Sequence, residues 1–207
     1  MREQGIITKR KSLNLKINMR EQVIPWLNSK VSQHRLQHIL GVEATCQKLA
    51  HCHGVNPEKA AQAGLMHDLA KFFTPKKLLT MAQREKLNID PICIAHPHLL
   101  HADVSAMVAK EQFGMTDEEV LKAISNHTLG SPKMSKLSCI VFVADTIEPH
   151  RGNTPELTMI RQVSWKNIYQ SVRQTCDYSL KYLLNGHRII DPRVILTRNW
   201  ALQKAKA

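Results

Sequence analysis

The sequence has no Cys-x-x-Cys pair, little glycine or proline, and no apolar run that reaches across a bilayer. Cys46, Cys52, Cys93, Cys139 and Cys176 are odd in number and scattered. Such a set reads as the reduced thiols of a cytoplasmic protein, mostly small core residues, and argues against zinc held by thiolates. The longest strongly apolar stretch, Cys139-Ile140-Val141-Phe142-Val143-Ala144, is far too short for a membrane span. Lys9, Arg10, Lys11 and Lys16 break up the N-terminal stretch where a secretion signal needs continuous apolar residues. With 8 Gly and 9 Pro in 207 residues, and apolar positions recurring at three and four, the pattern predicts an all-α single domain. A hydrophobic content of 43% suffices for one good-sized core, with little left for a second.

Acidic residues are also in short supply, and the formal charge is +12. Residues 1–20 contribute +5 and residues 181–207 another +5, which leaves the central 160 residues at +2. The excess therefore sits at the two ends, away from the candidate ligands described below. Solvated basic ends are the first reading, with residues 1–18 a flexible basic extension ahead of a domain over 19–203. Weak attraction for polyanions, RNA included, is the alternative.

Helical periodicity predicts a short helix over 19–29 with Pro25 near its start, and a long one over 32–53 stopped by Gly54. Asn56-Pro57 opens a helix over 57–72, in which the small residues Ala60, Ala61, Ala63 and Gly64 permit a close helix approach. Further helices are expected over 75–86 and 99–113, with Pro91 and Pro97 bracketing a loop. Thr116 and Glu119 read as a capping box for a helix running to about His127. The remaining expected helices cover 135–148, 164–185 and 192–203.

Within the third helix stands His67-Asp68, flanked by apolar residues. Neighbours on a helix point about 100° apart, so the two cannot both be packing residues on one core-facing stripe. A buried carboxylate beside an imidazole is costly without a partner, and a shared cation would supply one. Ligand-type residues recur elsewhere. His38 shares an inward face with Val42, Thr45 and Leu49, although a lone inward histidine is more often a hydrogen-bonded core residue. His34, one turn earlier, competes with it on spacing alone. His101 stands at a helix start and His127 near a helix end. Asp145 closes the apolar run Val141-Phe142-Val143-Ala144, where packing does not explain a carboxylate. Lys71 follows His67 at i+4 and reaches the same place, or else is an exposed cation at a helix end. Jointly, four imidazoles and two carboxylates on separate helices suffice for a two-metal centre.

Glu148, one turn after Asp145, reads equally as a carboxylate that orients a ligand or water and as a surface residue. His96 and His98 crowd the loop before His101. His51, His53, His150 and His187 read as surface or packing residues. Trp26, Trp165 and Trp200 read as core residues on apolar helical faces.

Arg35-x-x-His38, Leu65-Met66-His67-Asp68-Leu69-Ala70-Lys71, Leu100-His101-Ala102, His127-Thr128-x-Gly130 and Val143-Ala144-Asp145-Thr146-Ile147-Glu148-Pro149-His150-Arg151 form an ordered set. Together they resemble the HD-domain metal-dependent phosphohydrolases, in the YqeK-type branch of symmetrical diadenosine-tetraphosphate hydrolases. The likeness runs from about residue 20 to Asn199. It implies a single HD-domain helical bundle around a binuclear, di-iron centre that cleaves diadenosine tetraphosphate to two ADP. It further implies that His38, His67, Asp68 and Asp145 hold one metal, and that His101 and His127 join a bridging Asp68 around the second. Lys71, Arg151 and Arg35 would face the phosphates, and the Arg-x-x-His match favours His38 over His34. Two departures stand out. Asp103 and Ser105 replace the family's usual Pro and Gly, and the long basic N-terminus is extra.

Two metals can lower the pKa of a bridging water and create a hydroxide nucleophile in place. Lys71 and Arg151 would offset charge on the phosphate oxygens and on the departing ADP, which is acidic enough to need no general acid. The rival readings are another HD phosphohydrolase, such as a nucleotidase or cyclic-nucleotide phosphodiesterase, or an HD-fold module binding RNA or ribosomes. Imidazole and carboxylate ligands also accept manganese, cobalt or zinc. Base preference and oligomeric state, a homodimer included, are left open by the sequence.

Overall fold

Seven of the nine prolines stand first in a helical segment, where a missing backbone N–H costs little. The computed structural model describes residues 18–206. Among these, α1 (Met19–Asn28), α2 (Gln33–His53), α3 (Pro57–Met66), α4 (Pro75–Arg84) and the short α5 (Pro91–Ala95) come first. They are followed by α6 (His101–Phe113), α7 (Glu118–Ser125), α8 (Lys136–Ile147), α9 (Pro155–Ser164), α10 (Ile168–Asn185) and α11 (Pro192–Lys206). Single 3-10 turns cover Pro97–Leu100 and Pro149–Arg151. No strand occurs among the described residues, and no helix is long and apolar enough to cross a membrane.

The fold is arranged around α8. Every residue from Leu137 to Ala144 is buried, as expected of a helix that is apolar all round. It packs against α2, α3, α7, α9 and α10. Each large apolar side chain buried there contributes roughly 1.5–3 kcal/mol. α2 turns Leu36, Ile39, Val42, Cys46 and Leu49 into the same core and ends at Gly54, whose φ of +64° suits a residue without a Cβ. α2 and α3 approach closely at Gly64, where a Cβ would lie 3.0 Å from Glu43 Cα and from Cys46 Sγ. The run of small residues in α3 thus does what its composition suggested.

Several boundaries differ from the sequence-based expectation, each for an identifiable reason. Pro25 lies inside α1 rather than near its start. Asp117, not Thr116, caps α7, because its carboxylate accepts from the N–H groups of Glu119 (2.9 Å) and Val120 (3.1 Å). The stretch between Pro91 and Pro97 is the short α5, capped by Asp90. α9 was not expected at all, although Thr154-Pro155 begins it with the cap and first-turn proline seen elsewhere in the chain. Trp165 lies at the α9 end, 44% exposed, and is not a core residue. Trp26 packs edge-on against Phe113, and Trp200 against Tyr169.

The third helix ends at Met66 instead of continuing to residue 72. The Ala70 N–H leaves the helical ladder to donate to Ser105 Oγ at 2.9 Å. The segment then winds through i→i+3 bonds such as Lys71 N to Asp68 O at 3.1 Å. Ser105, one of the departures from the family pattern, thus anchors the backbone behind the His-Asp doublet.

The expected basic extension lies outside the described residues, apart from Asn18, whose side chain caps α1. At the other end much of the charge is met within the chain. Arg198 pairs with Asp177 (2.9 Å), Lys181 with Glu156 (3.1 Å), and Arg188 stacks over Tyr182. Gly64→Ala should destabilise the protein by roughly 1–3 kcal/mol, since the α2–α3 contact has no room for a methyl group. Urea unfolding followed by circular dichroism measures this, and an unchanged midpoint would contradict the contact.

Candidate metal centre

The candidate ligands come from five places in the fold. His38 lies in α2, His67 and Asp68 follow α3, His101 begins α6, His127 follows α7, and Asp145 sits in the last turn of α8. His38, His67, Asp68, His101 and His127 are all buried. His34 points to solvent, so His38 is the α2 histidine in the cluster.

Three of the histidines are held by one local device. His67 Nδ1 lies 2.7 Å from Gly64 O, His101 Nδ1 2.6 Å from His98 O, and His127 Nδ1 2.8 Å from Ile124 O. Each acceptor is the carbonyl three residues back, at the end of a helical segment, where carbonyls have spare hydrogen-bonding capacity. His38 lies inside a helix and lacks such a carbonyl. Its Nδ1 instead meets Glu148 Oε1 at 3.0 Å. Gly41, one turn after His38, makes this possible, because a Cβ there would collide with the Glu148 carboxylate. Glu148 is 1% exposed, and its other oxygen accepts from the His150 backbone N–H at 2.8 Å. The surface reading of Glu148 therefore fails: it orients His38.

Carbonyls and carboxylates only accept, so these contacts assign the ring proton to Nδ1 in all four histidines. Where such a ring is neutral, it turns a bare Nε2 toward the cavity. The Nε2 atoms of His101 and His127 lie 3.1 Å apart, and 3.4 and 3.5 Å from Asp68 Oδ1. His38 Nε2 lies 3.1 Å from Asp145 Oδ1, without the alignment of a hydrogen bond. His67 Nε2 is also without a hydrogen bond, 3.5 Å from Asp68 Oδ2 and 3.8 Å from Asp145 Oδ1. Lone pairs and carboxylate oxygens facing one another repel unless a cation lies among them. The donor set therefore fits divalent metal, as imidazole nitrogens and carboxylate oxygens suit such ions. Two triads, His38–His67–Asp145 and His67–Asp68–His127, each bring their donor atoms within 4.8 Å of one another.

Burial drives the His67 pKa down to about 4, with His127 and His38 acting in the same direction against Asp68 and Asp145. Burial alone would raise Asp68, but the neighbouring imidazoles of His67, His101 and His127 outweigh it and hold the carboxylate well below its usual range. Asp145 is likewise held low, since His38, His67 and Arg151 together overcome its burial.

Three cationic side chains rim the cavity. Arg35 reaches Asp68 Oδ2 at 2.9 Å, Arg151 reaches Asp145 Oδ1 at 2.6 Å, and Lys71 Nζ lies 3.2 Å from His101 Nε2. The Thr128 hydroxyl lies 3.1 Å from both His101 Nε2 and His127 Nε2. His98 contributes only its carbonyl. The cluster of Asp90, Cys93 and Asp191 is already engaged, since Asp90 caps α5 and Asp191 accepts from Arg193 N–H at 2.8 Å. Burial and the neighbouring Asp90 push the Cys93 thiol up to about 12, so it offers no thiolate.

The HD domain family matches residues 35–149, a span that holds every candidate ligand. The chain belongs to the HD-domain family. It is 32% identical over 181 residues to the symmetrical bis(5'-nucleosyl)-tetraphosphatase of Bacillus subtilis, covering 87% of this chain and 96% of that one. With the enzyme of the same name from Halalkalibacterium halodurans the identity is 34%, over 90% and 99% of the two chains. The fold matches a crystal structure of a predicted HD superfamily hydrolase from Clostridium acetobutylicum with a TM-score of 0.85 at 29% identity, covering 89% and 97%.

Sequence reasoning missed Gly41 and the Gly64 carbonyl as parts of this HD-domain site, and it singled out Ser105 only as a departure from the family pattern. Only the spacing of Gly41 from His38 and of Gly64 from His67 gave a signal. Two outcomes follow. Glu148→Ala should weaken metal binding about 10–100-fold in a chelator competition titration, because the His38 ring loses its orienting partner. Metal-free protein should lose stability as pH falls from about 6.5 through about 4. The unfolded His67 takes up a proton in that window and the folded ring does not. His67→Gln should remove this part of the slope in thermal melts.

Proposed function

We propose that the protein is a symmetrical bis(5'-nucleosyl)-tetraphosphatase that cleaves diadenosine tetraphosphate at its central anhydride to two ADP. One observation carries the reading of a two-cation site. Asp68 turns Oδ1 toward His101 and His127 and Oδ2 toward His67, so a single carboxylate serves two groups of imidazoles. We assign His38, His67, Asp68 and Asp145 to one divalent cation, and Asp68, His101 and His127 to the second. Iron is our assignment for both, and manganese, cobalt and zinc suit the same donors. When bound, two such ions supply a water acidic enough to attack at neutral pH and neutralise phosphate charge.

The residues of the chain do the rest. Lys71, Arg35 and Arg151 bring three positive charges to one rim, where they bind and align a polyphosphate and offset charge building on its oxygens. Water adds to an inner phosphorus and the central P–O bridge breaks, which leaves one ADP on each side. ADP is a good leaving group, and no general acid is assigned. The five free cysteines accord with a cytoplasmic setting.

Incubating metal-analysed protein with diadenosine tetraphosphate and identifying the products by chromatography tests the reading. Two ADP are expected. AMP plus ATP would move the cleavage point, and no turnover with any of the four metals would reject the substrate. His101→Ala should lose about one cation per chain and most turnover. Full activity with a single bound ion would overturn the two-cation site.

A further inference from the structure

The HD-domain match ends at residue 149, but the cavity over the ligand cluster extends beyond it. Besides Phe142 and Thr146 of α8, its wall includes Thr175 and Ser179 of α10. Residues four apart on a helix share a face, so Ser171, Thr175 and Ser179 form a hydroxyl stripe along α10, a helix that packs on α8. The cavity measures about 120 Å³, and its charged side chains other than the candidate ligands are the cations Arg35, Lys71 and Arg151.

Ser171 Oγ and Thr175 Oγ1 are both buried without a hydrogen-bond partner among the described residues, and of the two residues only Thr175 lines the cavity. Thr175 is 1% exposed. A buried threonine in a helix ordinarily returns its hydroxyl to the carbonyl four residues back. Thr45 does so with Gly41 O at 2.7 Å, and Thr197 with Arg193 O at 2.8 Å. Thr175 forgoes that bond. A buried hydroxyl without a partner is destabilising, and this one belongs to a residue that lines the candidate phosphate cavity.

We propose that Thr175 is a substrate-positioning residue whose hydroxyl donates to a nonbridging phosphate oxygen of the bound nucleotide. The inference rests on the hydrolase reading for its choice of ligand. An anionic oxygen is the acceptor suited to a small cavity rimmed by three cations, and a hydroxyl bonds it more strongly than it bonds a neutral acceptor. Every candidate metal ligand lies within residues 35–149, so α10 adds recognition without touching the ligand set. Thr175 adds a neutral hydroxyl donor to the charged donors of Arg35, Lys71 and Arg151.

Thr175→Val, close to isosteric, is the test, with Thr175→Ser as the variant that keeps the hydroxyl. Binding of ADP to the manganese-loaded protein, followed by calorimetry, should weaken about tenfold in the valine variant. The KM for diadenosine tetraphosphate should rise by a similar factor. Metal content should not change, and the Tm should stay level or rise, because the unpaired hydroxyl is gone. The serine variant should bind ADP as the natural chain does. A structural threonine would instead give a lower Tm with ADP binding and KM unchanged, and that result overturns the proposal. If the natural chain binds ADP in a Thr175-dependent way but does not cleave the tetraphosphate, the proposal stands and the reaction falls. If it cleaves and the valine variant is indifferent, the reaction stands and the proposal falls. Neither binding nor cleavage would sink both.

Discussion

Four imidazole nitrogens and two carboxylates face one another in the interior, the nitrogens of His38 and His67 without any hydrogen-bond partner, and the rest of the structure is arranged around that electrostatic conflict. No rearrangement of protons within the cluster relieves it, because each ring proton is already committed on the far side of its ring. Cations do relieve it. The backbone's part is to hold the donors in place. Three histidines use the carbonyl three residues back at a helix end, where such groups have capacity to spare. The fourth, inside α2, needs a carboxylate from another part of the chain. Helix ends are therefore the economical place for these ligands, and His38 is the exception that requires Glu148 and Gly41.

The same logic explains why the doublet lies beyond the end of α3. A helix continued to residue 72 would use the Ala70 N–H in its own ladder. Ser105 takes that N–H instead, which ties the loop bearing His67, Asp68 and Lys71 to α6, the helix that begins with His101. That hydroxyl is one link between the two halves of the candidate site. The central α8 is the helix on which α2, α3, α7, α9 and α10 pack. It is buried all round, it contacts most of the ligand-bearing helices, and it carries Asp145 in its last turn.

Charge is distributed on a different principle. Cations near the site, Arg35, Lys71 and Arg151, lie against ligand atoms. Toward the C-terminus Arg198 pairs with Asp177, Lys181 with Glu156, and Arg188 stacks over Tyr182. A strongly basic sequence therefore does not present a uniformly basic surface over the described residues.

Much of the site was legible in the sequence because its residues are chemically expensive where they stand. A histidine and an aspartate within Leu65–Lys71, or an aspartate closing Val141–Ala144, cannot be explained by packing. Helices too were legible, since proline and Ser, Thr, Asn or Asp caps punctuate their starts. The errors fell where two local signals competed, as with Thr116 against Asp117, or where a distant group diverted the backbone, as Ser105 does at Ala70. By itself the sequence determined the helical class, the set of metal-type ligands and the likeness to the HD-domain hydrolases, all properties of residue type and spacing. Only the tertiary structure decided that Glu148 orients His38, that Asp68 divides its two oxygens, and that Thr175 of α10 reaches the cavity. Those facts depend on contacts between residues far apart in the chain, and no local pattern records them.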